Sequence, residues 1–251
     1  MSGHSKWSTI KRQKGVTDVR RGQLFAKLSR DITLATQKGN SGDLEMNFRL
    51  RLAVQKARDA NMPSDNVERA IKKGLGEGDG AELQELTYEG YGPAGVAILV
   101  EAMTDNRNRT AAEVRTSFSR HGGNLGEVGS VGWLFAQKGL LAVAPGAGDT
   151  DEIGILAIDA GAEDVLVDAD GSMEIQTAPD ELEAVRDRLV AAGITTAGAE
   201  LSMVPATTIH LSTGDAEEVL KLLDRLEDLD DVQRVYSNAD FPEEVLAAAG
   251  A

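Results

Sequence analysis

The chain has 251 residues, 41% of them hydrophobic and 4% aromatic, with no cysteine and a formal net charge of −15. That apolar fraction supports packed cores built from Leu, Val, Ile and Ala rather than general disorder. The lack of thiols excludes a disulfide framework, thiolate metal sites and a cysteine nucleophile, and no run of about 18 apolar residues offers a membrane span.

The charge is placed unevenly. Residues 1–73 hold 16 Lys and Arg against 7 Asp and Glu, a net of +9, whereas residues 74–251 hold 10 against 34, a net of −24. Segregation of this size points to a polyanion-binding module carried on an acidic body, the alternative being a solvated helical face that is merely basic. The opening MSGHSKWSTIKRQKG is charged with no apolar stretch behind it, unlike a secretory signal. Asp18, Asp31 and Asp43 are also unlike an organelle presequence, so a cytoplasmic protein is expected.

In chain order, residues 1–15 read as a basic arm with Trp7 set among Lys6, Lys11, Arg12 and Lys14. Three helical patterns follow. Phe25, Leu28, Ile32 and Ala35 recur at steps of three and four until Gly39. Met46, Leu50, Ala53 and Ala57 make a second stripe, ended by Asn61 and Pro63. Ser64 or Asp65 caps a third, with Val67, Ala70 and Ile71 inward and Gly74 as its C′ residue. GLGEGDGAELQ, residues 74–84, reads as a flexible linker and places a domain boundary near residue 78.

Beyond it the period changes. Residues 95–103 read as a buried strand, a helix capped by Thr110 runs to Gly122 and Gly123, and 130–135 read as another strand. Strand 139–144, helix 150–160, strands 163–168 and 172–177, helix 179–192 and strand 194–204 follow in β-α-β-β-α-β order. Strand 207–212, helix 215–228 and strand 231–237 complete the chain. The expected fold is multi-domain, α plus α+β. An N-terminal three-helix basic domain (1–78) precedes two ferredoxin-like units. One is discontinuous (79–137 and 205–240), with its two β-α-β halves at 94–135 and 206–237, and it is interrupted by the other (138–204). One continuous α+β domain is the alternative.

A search for reaction chemistry finds little. GYGPAG, residues 90–95, matches G-x-G-x-x-G, yet Pro93 interrupts it and a strand follows, so it reads as a turn. His4, His121 and His210 lie too far apart for a spaced metal set, and His121 suits a helix C-terminus. No catalytic residue, cofactor, metal or small-molecule substrate is expected.

Cations carry the chemistry instead. Arg20 and Lys27 are seven apart, Lys27 and Arg30 three apart, and Arg49 and Lys56 seven apart, as are Arg51 and Arg58. Arg69, Lys72 and Lys73 point away from the apolar stripe of the third helix. With Arg21, such surfaces attract phosphates through Coulomb forces and counterion release. Trp7 either stacks on an unpaired base or docks on the domain's own core.

The blocks GHSKWSTIKRQK, NMPSDNVERAIKKG (61–74), YEGYGP (88–93), TDNRNRTAAEVR (104–115), HGGNLGEVGSVGWLF (121–135) and DFPEE (240–244) resemble the YebC/PmpR family. The resemblance spans residues 2–244. It implies a helical N-terminal domain and two α+β domains, one inserted in the other, with no enzymatic activity. It places His4, Ser5, Lys6, Trp7, Lys11 and Lys14 in the basic opening. It also gathers Asn106, Arg107, Asn108, Arg109 and Thr110 into a polar block, which is either a second contact surface or a structured turn. TYEGYGP reads as a tight turn joining domains through Tyr88 and Tyr91. The family implies a DNA-binding transcriptional regulator, and a monomer is expected because the sequence shows no dimerisation zipper or symmetric partner surface. The alternative is an RNA-binding translation factor acting on ribosomal RNA at the ribosome, relieving stalling at proline-rich stretches.

Overall fold

The computed structural model describes residues 18–77 and 83–250, a mixed α and β chain with two four-stranded sheets. It falls into two compact units. One runs up to Ser130 and includes Glu217–Val235; the other comprises Val131–Ala216 and the residues from Tyr236.

The first unit begins with three helices: α1 (Asp18–Gly39), α2 (Phe48–Asp59) and α3 (Ser64–Gly74). Their shared core contains Leu28, Ile32, Ala35, Leu50, Val54, Ala57, Val67 and Ala70. The expected stripes of α1 and α3 are therefore the buried ones. In α2 the stripe is Leu50, Val54 and Ala57, while Met46 precedes the helix and is 81% exposed. Asn47 sets that start: its Oδ1 accepts from the Leu50 amide, and its Nδ2 donates to the carbonyls of Ala35 and Ser41. A buried side-chain amide thus caps one helix and ties it to the end of another.

The α3 cap differs from expectation. The helix follows Pro63, and neither Ser64 nor Asp65 supplies a capping side chain. Gly74 is the last helical residue rather than C′, and Gly76 takes the left-handed turn at φ 82. What holds Gly74 is close approach: a Cβ there would lie 2.5 Å from Thr36 Cβ and 2.7 Å from the Thr33 carbonyl oxygen. Alanine normally gains about 1 kcal/mol over glycine in a helix, but overpacking against a backbone atom costs about 1–3 kcal/mol. Gly74→Ala is therefore expected to destabilise by up to about 2 kcal/mol, read as a lower urea midpoint at unchanged slope.

The same unit holds β1 (Gln84–Tyr91), β2 (Ala97–Thr104), α4 (Arg107–Arg120) and β3 (Asn124–Leu125), and later the greater part of α7 (Thr213–Glu227) and of β9 (Val232–Ser237). The sheet order is β3-β1-β2-β9, with β1 and β2 an antiparallel hairpin in register from Gln84↔Thr104 to Tyr91↔Ala97. The GPAG part of GYGPAG is the hairpin turn, with Ala94 and Gly95 at positive φ, so Tyr88 and Tyr91 lie on β1 itself rather than in a turn.

Two β-α-β halves at 94–135 and 206–237 are not what the chain forms. The 130–135 strand is absent: Gly129 adopts φ 88 and Gly132–Leu134 a single 3-10 turn, so no extended run exists before Phe135. The 207–212 strand shrinks to β8 (Ile209–His210), paired in parallel with β10 (Ala239–Asp240) in a separate ribbon. The sheet is completed by β1, a strand whose polar, half-exposed QELTYEGY pattern hides it in the sequence.

The second unit contains β4 (Phe135–Val143), α5 (Thr150–Asp159), β5 (Asp164–Val167), β6 (Met173–Thr177), α6 (Leu182–Ala191) and β7 (Thr196–Pro205). The sheet order is β5-β6-β4-β7, and all three neighbouring pairs are antiparallel. Leu141, Met173, Ile175, Leu182, Val185 and Leu189 are buried, and a Cβ on Gly139 would meet Leu182 Cβ at 2.8 Å, which marks where α6 crosses β4. The final helix is α8 (Glu243–Gly250). No described helix is long and apolar enough to cross a membrane.

Candidate nucleic-acid interface

Helices α1 to α3 turn their apolar stripes inward and so carry their cations outward, but not all of those cations are free. Arg21, Arg49, Lys72 and Lys73 are exposed and form no ion pair among the described residues. Arg69 is exposed yet folded back on its own helix, its Nε donating to the Asp65 carbonyl and a terminal nitrogen to Asn66 Oδ1. Lys56 is half-buried and has a partner. Arg51 is structural: it donates to the Leu44 carbonyl at 2.7 Å and sits 5.7 Å over the Phe48 ring. The readings on His4, Lys6, Trp7, Lys11, Arg12 and Lys14, and on the Arg20 side chain, lie outside the described residues.

Lys27 and Arg30 are committed elsewhere. Lys27 Nζ donates to the Glu227 carbonyl, and Arg30 donates to the Asp230 carbonyl and approaches Asp231 Oδ1 at 3.8 Å. Asp31 on the same helix faces Arg234 at 3.7 Å, and Lys38 pairs with Glu85. These contacts fasten α1 to the acidic connection between α7 and β9 and to β1. The charge pattern of α1 alone gives no sign of it, because the partners of Lys27 and Arg30 are 200 residues away.

Asp231 is the hub of this fastening and was not singled out in the sequence. Its residue is 5% exposed, and its Oδ2 accepts from Arg109 at 2.8 Å, Thr110 at 2.8 Å and Thr104 at 3.0 Å. Burial opposes its ionisation, but the hydrogen bonds from Arg109, Thr110 and Thr104 outweigh it and hold the carboxyl below its ordinary value. The same hydrogen bond and charge raise the Arg109 guanidinium. Nearby, burial raises the Tyr88 phenol against the pull of Arg107.

The polar block 106–110 is therefore divided. Asn106, not Thr110, caps α4, accepting from the Arg109 amide at 3.2 Å. Thr110 is fully buried on Asp231, and Arg109 is taken by Asp231 and Asp105. Arg107 and Asn108 stay exposed. His121 ends the helix as expected, its Nδ1 2.9 Å from the Ser117 carbonyl. Among the described residues, no group of three or more His, Asp or Glu is placed to hold a metal ion.

Two family models match nearly the whole chain: the TACO1/YebC protein N-terminal domain over residues 5–77 and the TACO1/YebC second and third domain over residues 83–239. The chain belongs to the TACO1/YebC family. Among its TACO1/YebC relatives, a "probable transcriptional regulatory protein" of Chloroflexus aurantiacus is 56% identical over 249 residues, covering 98% of each chain. One of the same description from Hahella chejuensis is 53% identical over 252 residues, covering 100% of each. The crystal structure of a conserved hypothetical protein from Aquifex aeolicus superposes with a TM-score of 0.81 at 46% identity. The match covers 91% of this chain and 94% of that one. By their names, these curated TACO1/YebC relatives are regulators.

Proposed function

We propose that this protein is a non-enzymatic, DNA-binding transcriptional regulator that acts as a cytoplasmic monomer. Phosphate contacts come from the basic arm (Lys6, Lys11, Arg12, Lys14) and from exposed cations of the first three helices. The observation that carries the reading is the set Arg21, Arg49, Lys72 and Lys73: exposed, without ion pairs among the described residues, on helices whose apolar faces are spent on their own core. Exposed cations that the protein does not neutralise are those that release counterions from a nucleic-acid backbone. The names of the curated relatives support regulation of transcription.

The domain division that accompanies this reading is 1–78, 79–137 with 205–240, and 138–204. For the inserted part we read a ferredoxin-like unit, supported by the antiparallel order β5-β6-β4-β7. A small helical domain bearing cations on α3 has the form of many major-groove readers. On this reading Lys27, Arg30 and Arg69 leave their internal partners only when a phosphate competes for them.

Lys11→Ala with Lys14→Ala is expected to flatten the salt dependence of duplex binding by about 0.9 for each phosphate the variant no longer neutralises, measured by fluorescence anisotropy over a salt series. Sedimentation of tagged protein from lysate, with and without DNase or RNase, decides the setting. Association with ribosomes that survives DNase would overturn the transcriptional reading in favour of translation.

A further inference from the structure

We infer that the cleft between α4 and α7 binds a phosphate group of the nucleic-acid backbone, giving the acidic part of the chain an anion site of its own. The inference rests on the nucleic-acid reading above and extends it to a second domain. After residue 73 the chain has ten Lys and Arg among 34 acids, so cations there are expected to be neutralised. Six of them are engaged: Arg109, Lys138, Arg186, Lys221 and Arg234 in ion pairs, and Arg188 on the carbonyls of Asp159 and Ala160. The four without an ion pair or hydrogen-bond partner among the described residues are Arg107, Arg115, Arg120 and Arg225, and all four stand on α4 or α7.

Arg120 and Arg225 line one open cleft of about 290 Å³, together with Glu113, Ser117 and His121. Glu113 is the one acid in that lining, so two guanidinium groups face a single carboxylate. The lining hydroxyls are already committed as donors: Ser117 donates to the Glu113 carbonyl at 2.9 Å and Thr116 to the Ala112 carbonyl at 2.7 Å. The His121 ring is fixed by its Nδ1 on the Ser117 carbonyl, at 2.9 Å. What the cleft still offers is guanidinium N–H, whose planar fork matches two oxygens of a phosphate. Close approach of α4 and α7 keeps the two arginines on one cleft: a Cβ on Gly123, just past α4, would lie 3.2 Å from Leu222 of α7.

The test compares full-length wild type with Arg120→Ala/Arg225→Ala and with Glu113→Gln. Binding of a labelled duplex DNA is followed by anisotropy over a salt series, and ³¹P line broadening of inorganic phosphate is recorded on the same proteins. Unfolding midpoints identify any misfolded variant. The double variant is expected to bind DNA about tenfold more weakly, with its salt slope lower by about 0.9 because one phosphate is no longer neutralised. Glu113→Gln should bind a few-fold more tightly, an outcome misfolding cannot mimic. Wild-type binding with no change in either variant overturns the cleft and leaves the N-terminal reading standing. Failure of wild type to bind DNA, with phosphate broadening that the double variant abolishes, overturns the nucleic-acid reading and assigns the cleft to a small phosphate ligand. Neither signal overturns both.

Discussion

Asp231→Ala is expected to destabilise the unit built from α1, β1, β2, α4 and β9 by about 3 kcal/mol. One carboxylate oxygen accepts from Arg109, Thr104 and Thr110, and the two threonines are 1% and 0% exposed. Without Asp231 the buried Thr104 hydroxyl loses its acceptor, at a cost of about 1–3 kcal/mol, whereas Thr110 keeps the Asn106 carbonyl at 3.1 Å. Breaking a buried ion pair costs about 3–5 kcal/mol, but Arg109 and Arg30 are partly in solvent, which places the total near the lower end of that range. The midpoint of thermal unfolding should fall by roughly 6–12 °C.

Asp231→Asn separates charge from hydrogen bonding, because its Oδ1 can still accept from both threonines. About half the loss is expected. The pH dependence distinguishes the two variants from wild type. The carboxyl is held below its ordinary value in the folded state, so it binds fewer protons folded than unfolded. The stability it contributes is full above the ordinary carboxylate pKa, about 3.9, and is lost as pH falls through the lower folded value. Wild type should lose this contribution in denaturant midpoints as pH falls below about 3.9, and both variants should lack that phase. Equal acid sensitivity in all three would show that Asp231 is not the hub.

Lys72→Glu with Lys73→Glu is expected to weaken duplex DNA binding on the order of a hundredfold at moderate salt. Both lysines are exposed in the last turn of α3, and the buried side of that helix is carried by Val67 and Ala70. Giving up two phosphates lowers the salt slope by about 1.8, and two carboxylates in place of the lysines add repulsion. The exchange also sets acids at a helix C-terminus, costing about 0.3–1 kcal/mol each, too little to unfold a core containing Ile32, Leu50 and Val54. Lys72→Gln with Lys73→Gln avoids that cost and should weaken binding by about tenfold. Affinity within twofold of wild type in both variants would remove α3 from the interface.

The sequence revealed local structure where one residue's environment is set by near neighbours. Leu28, Ile32 and Ala35 announce α1 through spacing alone, and GYGPAG announces a turn through Pro93 and its glycines. It failed where pairing decides. The QELTYEGY segment becomes β1 because β2 lies beside it over eight register positions, and SVGWLF does not become a strand because the chain turns at Gly129 and again over Gly132–Leu134. Gly74 looked like a helix stop and is a contact point, a distinction that exists only once Thr33 and Thr36 stand opposite.

The candidate site divides the same way. The sequence by itself determined that cations gather before residue 74 and acids after it, since charge is a property of composition. Only the tertiary structure decided which of those cations are available. Coulomb attraction and hydrogen bonding act over a few ångströms, not along the chain, so Lys27 and Arg30 found partners at residues 227, 230 and 231 while Lys72 and Lys73 kept their charge for the solvent side.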